Sequence, residues 1–202
     1  MVEAQHNGNA YQDVFGEGEL VPLAVLRLRL AACGEGVKVY RGVRLVGADR
    51  IRVGDFSQID EGVHVFGGGG VDLGRHVHLA FGSSISGGGC CRIGDFVGVG
   101  AGVRILTGTD LADGSGLTNP TAPAGLRSVQ RDRVQIGDHA VLFTGVIVLP
   151  GVTVGEGAVV AAGSVVHRDL KPWLVHAGHP LVAVKERPRA TVLRYAAELS
   201  GR

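Results

Sequence analysis

An aliphatic residue returns at every sixth position through most of this chain, and that period restricts the fold more than any other feature. The series runs Val53, Ile59, Val65; Leu73, Leu79, Ile85; Ile93, Val99, Ile105; and, after an interruption, Ile136, Leu142, Val148, Val154, Val160 and Val166. A small residue or an acid usually follows, as in Ile93-Gly94-Asp95 and Ile136-Gly137-Asp138. Val37 and Val43 form a weaker pair that would begin an earlier turn. Extra residues at 67–71 and 87–91 separate the first three groups without disturbing the phase inside them. A sandwich of alternating strands repeats every two residues, with turns at intervals of about 8–12 residues. It has no reason to keep a phase of six across insertions. The period instead predicts a triangular prism with three hexads to a coil. Aliphatic anchors point inward, and Gly, Asp or Asn-like residues take the corner conformations that bulky side chains resist. Coils would stack about 4.8 Å apart, and none could bury its core alone.

Composition agrees with such a core. The chain holds 34 Gly among 202 residues and only 5% aromatic residues, so small and β-branched side chains must fill the interior. Lys and Arg total 20 against 19 for Asp and Glu, which argues against nucleic acid as a partner. Cys33, Cys90 and Cys91 are an odd set with an adjacent pair, a poor disulfide framework and more at home in a reducing compartment. Residues 1–16 lack the apolar stretch of a signal peptide. The most apolar stretch, Leu20 to Cys33, carries Arg27 and Arg29 and is too short to span a bilayer. A soluble cytoplasmic protein is expected. No spacing of His, Cys and Asp suits a zinc site, so no catalytic metal is expected.

Three regions follow. Residues 1–35 form an N-terminal segment, with a helix over 18–33 that caps the first coil and Pro22 near its first turn. Residues 36–170 carry the coils and an excursion loop, 106–134, rich in Gly, Pro, Thr and Asp; a loop that long is usually functional or disordered. Residues 171–202 form a C-terminal segment with a helix over 188–200, Pro188 near its start.

The run VIVLPGVTVGEGAVVAAGSVVHRDLKPWLVHAGHPLVAVKER, within a likeness covering about residues 36–187, resembles the bacterial hexapeptide-repeat acyltransferases. It is similar to the galactoside and maltose O-acetyltransferases and to the amino-sugar N-acetyltransferases. The resemblance implies an all-β, left-handed parallel β-helix, a homotrimer, acetyl-CoA (coenzyme A) as co-substrate, and a sugar or amino-sugar acceptor. It assigns Ala162, Gly163, Ser164, Ala177 and Gly178 to the pantetheine arm, although tight corners would explain the same small residues. Arg168 and Lys185, and less so Arg187, would meet the phosphates, unless they are solvated charges at the end of a solenoid. Asn119 opens an NPT–P run, Asn119–Pro123, like that of sugar-modifying members; with Asp113 and His76 it is a candidate substrate-binding residue.

The catalytic base is the open point. His is the usual base near neutrality, and galactoside-type relatives carry one at the start of the excursion loop. Here that stretch reads Thr107-Gly108-Thr109-Asp110-Leu111-Ala112-Asp113, and Asp110, an ordinary carboxylate, is a weak base unless desolvated. Coil arithmetic stacks His78, Gly98 and Val141 in one column, each five residues past a group's first anchor. His78 lies in Gly74-Arg75-His76-Val77-His78-Leu79, which resembles a segment of amino-sugar acetyltransferases whose second His approaches the acetyl group. It competes with a corner His that merely bonds backbone. An amine acceptor would relax the demand on Asp110, which tilts the expectation toward N-acylation. Two other readings stand beside the enzyme: a non-catalytic β-helix binding or assembly protein, and a zinc carbonic anhydrase using His64, His76 and His78.

Overall fold

A computed structural model describes residues 18–201; the expectations for residues 1–16 fall outside that range. Short strands wind into a left-handed parallel β-helix of about seven turns, whose three faces are sheets of six, eight and six strands. The first face stacks Ala32–Cys33, Ile51–Val53, Val71–Leu73, Cys91–Ile93, Val134–Ile136 and Thr153–Val154. The second stacks Lys38–Val39, Gln58–Ile59, His78–Leu79, Gly98–Val99, Val141–Leu142, Val159–Val160 and Leu174–Ala177, then an antiparallel Val182–Glu186. The third holds Arg44–Val46, His64–Phe66, Ser84–Ser86, Arg104–Leu106, Ile147–Val148 and Val165–Val166.

Every anchor of the six-residue series from Val53 to Val166 is buried, none more than 4% exposed. Each such aliphatic side chain contributes roughly 1.5–3 kcal/mol on leaving water. A second inward position, two residues before each anchor, completes the core with Val63, Val77, Val97, Val103, Val146 and Val152, or with small Ser57, Ser83 and Ala158. The first coil differs from expectation. Its anchors are Cys33, Val39 and Leu45, paired with Val53, Ile59 and Val65; Val37 and Val43 fill the second inward position instead. Cys91 is buried and its thiol is pushed up to about 12, chiefly by burial, whereas Cys90 is exposed.

The Gly-Asp dipeptides have a local cause. At Gly54, Gly94 and Gly137 an added Cβ would press within 2.6 Å of the next coil. The Asp that follows bonds the coil before it: Asp55, Asp95 and Asp138 Oδ1 accept the amides of Glu35, Arg75 and Asp95, each at 2.8 Å. The next residue departs from the expected Gly or Asn. Phe56, His76, Phe96, His139 and Trp173 all adopt φ between 54° and 60°. Such left-handed backbone costs a residue about 1–2 kcal/mol. The rings stack up the corner between the first and second faces, with centroids 5.1, 4.8, 5.4 and 6.1 Å apart. Stacking returns about 0.5–1.5 kcal/mol per pair beyond area burial, which offsets about half of the strain.

The N-terminal helix α1 (Leu23–Arg29) is shorter than expected, because residues 32–33 already belong to the first face. Pro22 immediately precedes it, and Leu26 and Leu30 are buried under the first coil. The excursion leaves after Leu106 and rejoins at Val134, which pairs with Cys91 as if no residues intervened. It begins and ends as a hairpin of Gly108–Asp110 with Val129–Arg131. The C-terminal helix α2 spans Ala190–Ser200.

Candidate active site

His78 points outward from the second face, with Gln58 below it and Gly98 above; Val141 follows Gly98. The stacked column read from the sequence is therefore real. The imidazole is 48% exposed, so a solute can reach it. Its Nε2 lies 2.9 Å from Asp60 Oδ2, and Gln58 Nε2 donates to Asp60 Oδ1 at 2.8 Å. Sequence reading missed both partners. Gln58 is visible by column arithmetic, but Asp60 reaches His78 diagonally from the coil below.

Gly98, which the sequence places in this column, receives no role from sequence alone. Its φ lies outside the left-handed region, and a Cβ there would meet nothing within 4 Å. Nothing in the fold calls for glycine at that rung. It leaves open space directly over His78.

The corner between the second and third faces is built from Gly42, Gly62, Gly82, Gly102, Gly145 and Gly163, with φ between 66° and 84°. At Gly82, Gly102 and Gly163 a Cβ would meet nothing, so backbone lies open along this edge. Exposed Phe81 and Phe143 flank it. Ala162 and Gly163 stand at its upper end, while Ser164 is buried with its hydroxyl turned into the prism. Ala177 and Gly178 end the last second-face strand, and Lys185 lies exposed on the antiparallel strand beside it. Arg168 donates one N–H to the Leu181 carbonyl at 2.9 Å and keeps its other donors. Arg187 is already engaged. Its Nη1 donates to the carbonyls of His139 and Gly157 at 2.7 and 3.0 Å, and its guanidinium lies 5.6 Å from the Trp173 ring centre.

The loop candidates do not meet His78 within one chain. The loop springs from the corner between the third and first faces, which is opposite the second face in a triangular prism. Asp110 accepts Arg127 Nη2 at 2.7 Å, both side chains being less than a quarter exposed. Asp113 Oδ1 accepts Ser115 N at 2.9 Å and the Ser115 hydroxyl, and these bonds hold its carboxyl below the usual carboxylate range. Asn119 Oδ1 accepts Thr121 N and Oγ1 at 3.0 and 2.9 Å. All three shape the loop. His76 sits in the aromatic stack between Phe56 and Phe96. His64, His76 and His78 thus occupy the third face, a corner and the second face; among the described residues no group of three or more His, Cys, Asp or Glu could hold a metal ion.

Comparison with known proteins bears on this geometry. A family model described as bacterial transferase hexapeptide (six repeats) matches residues 133–168. The dTDP-4-amino-4,6-dideoxy-D-glucose acyltransferase of Escherichia coli is 34% identical over 157 residues, 77% of this chain and 82% of that one. A variant of AntD, an N-acyltransferase from Bacillus cereus crystallised with dTDP-4-amino-4,6-dideoxyglucose and coenzyme A, has the same fold. It gives a TM-score of 0.86 at 23% identity, covering 93% of this chain and 100% of that one. A hexapeptide-repeat acetyltransferase from Vibrio cholerae, complexed with acetyl-CoA, gives 0.57 at 21% identity, with 82% and 75% covered.

Proposed function

The chain belongs to the hexapeptide-repeat acyltransferases, and from that premise we propose that it moves an acyl group from coenzyme A to the amino group of a nucleotide-linked amino sugar. One observation carries the reading: a half-open His78 and a run of open glycine backbone share the second face and its edge. Pantetheine is a chain of amides that needs backbone partners along a slot, and the Gly82-to-Gly163 edge offers them. Ala162, Gly163, Ala177 and Gly178 border the upper end of that slot. Ser164 shapes it through its backbone. Arg168 and Lys185 are the cations placed for the phosphates, whereas Arg187 serves the fold.

The relatives support the acceptor: the Escherichia coli enzyme is named for a dTDP-linked 4-amino sugar, and AntD was crystallised with one. A neutral amine attacks the thioester carbonyl, the N–C bond forms and the C–S bond breaks. The proton lost by nitrogen passes to His78 and then to the departing sulfur, giving an amide and free coenzyme A. Asp110, Asp113 and Asn119 act by holding the loop that encloses the sugar nucleotide.

A site that uses His78 and this loop needs two prisms side by side, because the loop rises opposite the second face. This supports a homotrimer with sites between protomers. Among the described residues no helix is long and apolar enough to cross a membrane, and the free cysteines suit the reducing cytoplasm.

The test follows thiol release from acetyl-CoA by the purified protein. Release is expected with dTDP-4-amino-4,6-dideoxyglucose and none with its 4-hydroxyl counterpart; the reverse pattern would end the N-acylation reading. His78→Ala should lower kcat about 100-fold or more, and undiminished turnover would remove His78 as the base.

A further inference from the structure

We infer that Asp60 and Gln58 are positioning residues that lock His78 in the tautomer whose free base is Nδ1. The inference rests on His78 being the base and goes beyond it, because it says which nitrogen acts and why. A carboxylate can only accept hydrogen bonds, so the 2.9 Å contact with Asp60 Oδ2 requires a hydrogen on His78 Nε2. A neutral imidazole then bears its lone pair on Nδ1. Gln58 holds the carboxylate in turn: facing Asp60 Oδ1 at 2.8 Å, it must present its amide N–H. Both Asp60 oxygens are thereby engaged, and the carboxylate is only 25% exposed, so its orientation is fixed from two sides.

Among the described residues Asp60 is the only charged side chain within ion-pair distance of the ring. The strand above brings only Gly98. Below, Gln58 is neutral and Asp60 is the partner already named. On the preceding corner, Arg75 is held by Asp95 through two side-chain contacts at 3.0 and 3.1 Å, and His76 is stacked between phenyl rings. When the attacking amine gives up its proton, Nδ1 receives it, and the imidazolium formed stays bonded to Asp60 through Nε2. Nδ1 then returns the proton to the leaving thiolate.

The relay has an unusual consequence for Asp60→Asn. Gln58 still donates to the carbonyl oxygen of the new side chain, which leaves the Asn NH2 facing His78. That group can only donate, so Nε2 must become the acceptor and the hydrogen moves to Nδ1. The base is lost although ring and geometry remain. Asp60→Asn should therefore lower kcat about 100-fold or more with both KM values within about twofold. Gln58→Ala alone should lower kcat less than about fivefold, since Asp60 still accepts. Adding Gln58→Ala to Asp60→Asn frees the Asn amide to flip and present oxygen, and should restore at least about tenfold of the lost kcat.

The experiment pairs these kinetics with 1H–15N spectra of 15N-histidine-labelled full-length protein. The spectra should show the Nε2–H tautomer of His78 in the native protein and Nδ1–H in Asp60→Asn. A native Nδ1–H tautomer, or a double variant no better than Asp60→Asn, would overturn the inference. Normal kcat in Asp60→Asn, with His78→Ala inactive, would overturn it while sparing His78 as base. Full activity in His78→Ala would remove both.

Discussion

Gly98 and Gly100 flank the anchor Val99 on the second face, and they are glycines for different reasons. At Gly100 a Cβ would lie 2.8 Å from the Thr144 amide nitrogen and 3.0 Å from the Leu142 oxygen. Gly100→Ala must push two coils apart, which costs about 1–3 kcal/mol and should lower Tm by several degrees. At Gly98 the same methyl meets nothing, and losing a glycine stiffens the unfolded chain, so Gly98→Ala should leave Tm unchanged or slightly raised. A larger side chain there enters the space over His78. Gly98→Val is expected to fold normally and to lower kcat/KM for the amino sugar at least about tenfold. Thermal unfolding and steady-state kinetics on the two glycine sites separate the roles; an unimpaired Gly98→Val enzyme would move the acceptor off this rung. Sequence alone could not tell these glycines apart. The six-residue period marks only the always-aliphatic position, so the mixed Val, Ala and Ser position behind it went unread. Asp60 went unread because the bond to His78 joins positions eighteen residues apart across two coils, a spacing that no short motif contains.

At the scale of elements, the junction between the aromatic stack and α2 fixes the C-terminal helix against the side of the prism. Arg187 ties the two: it donates to the carbonyls of His139 and Gly157 and lies over Trp173. Val192, Tyr195 and Leu199 of α2 then border an apolar crevice against Phe96, His139 and Val141. Burial holds the Arg187 guanidinium below its ordinary range, as expected of a cation enlisted by the fold. Arg187→Ala leaves two carbonyls without their charged donor, a loss of about 2 kcal/mol, and a Tm drop of about 4–8 °C for a chain of this size. The affinity for coenzyme A, measured by calorimetry below the melting range, should change less than about threefold. A large loss of affinity with unchanged Tm would return Arg187 to the phosphates. The helices were legible in outline from Pro22, Pro188 and their apolar residues. Their limits were not, because the first coil opens on Cys33, and Val37 and Val43, aliphatic and also six apart, compete with Val39 and Leu45 for the inward phase. The ring stack was hidden for another reason. Left-handed backbone under Phe and Trp is unfavourable residue by residue, and only the repetition of the corner, coil upon coil, makes it stable.

For the whole molecule, a solenoid is as stable as the contacts between neighbouring coils, and its ends are where those contacts run out. α1 covers one end. At the other, His176 continues the anchor column above Val160 and is 5% exposed, a titratable ring where every lower coil has an aliphatic side chain. Burial depresses its pKa first; the carbonyls of Leu174 and Val159 oppose that, and the charge of Arg168 adds to it. The folded state therefore keeps this ring neutral at a pH where the unfolded chain already binds a proton. Stability from His176 is complete above its unfolded value of about 6.5 and is lost as pH falls from there through the depressed folded value. Between pH 7 and pH 5 the Tm of the native protein should fall. His176→Leu, which restores an aliphatic anchor and removes the titration, should flatten that slope and raise Tm most at pH 5. Among the described residues the one carboxylate with a shift is Asp113, exposed in the loop, whose effect begins only as pH falls through the ordinary carboxylate value of about 3.9, so the two do not overlap. Thermal unfolding at fixed ionic strength across pH 5–8, for both proteins, reads the difference directly. Equal slopes would place the acid sensitivity outside the terminal coil.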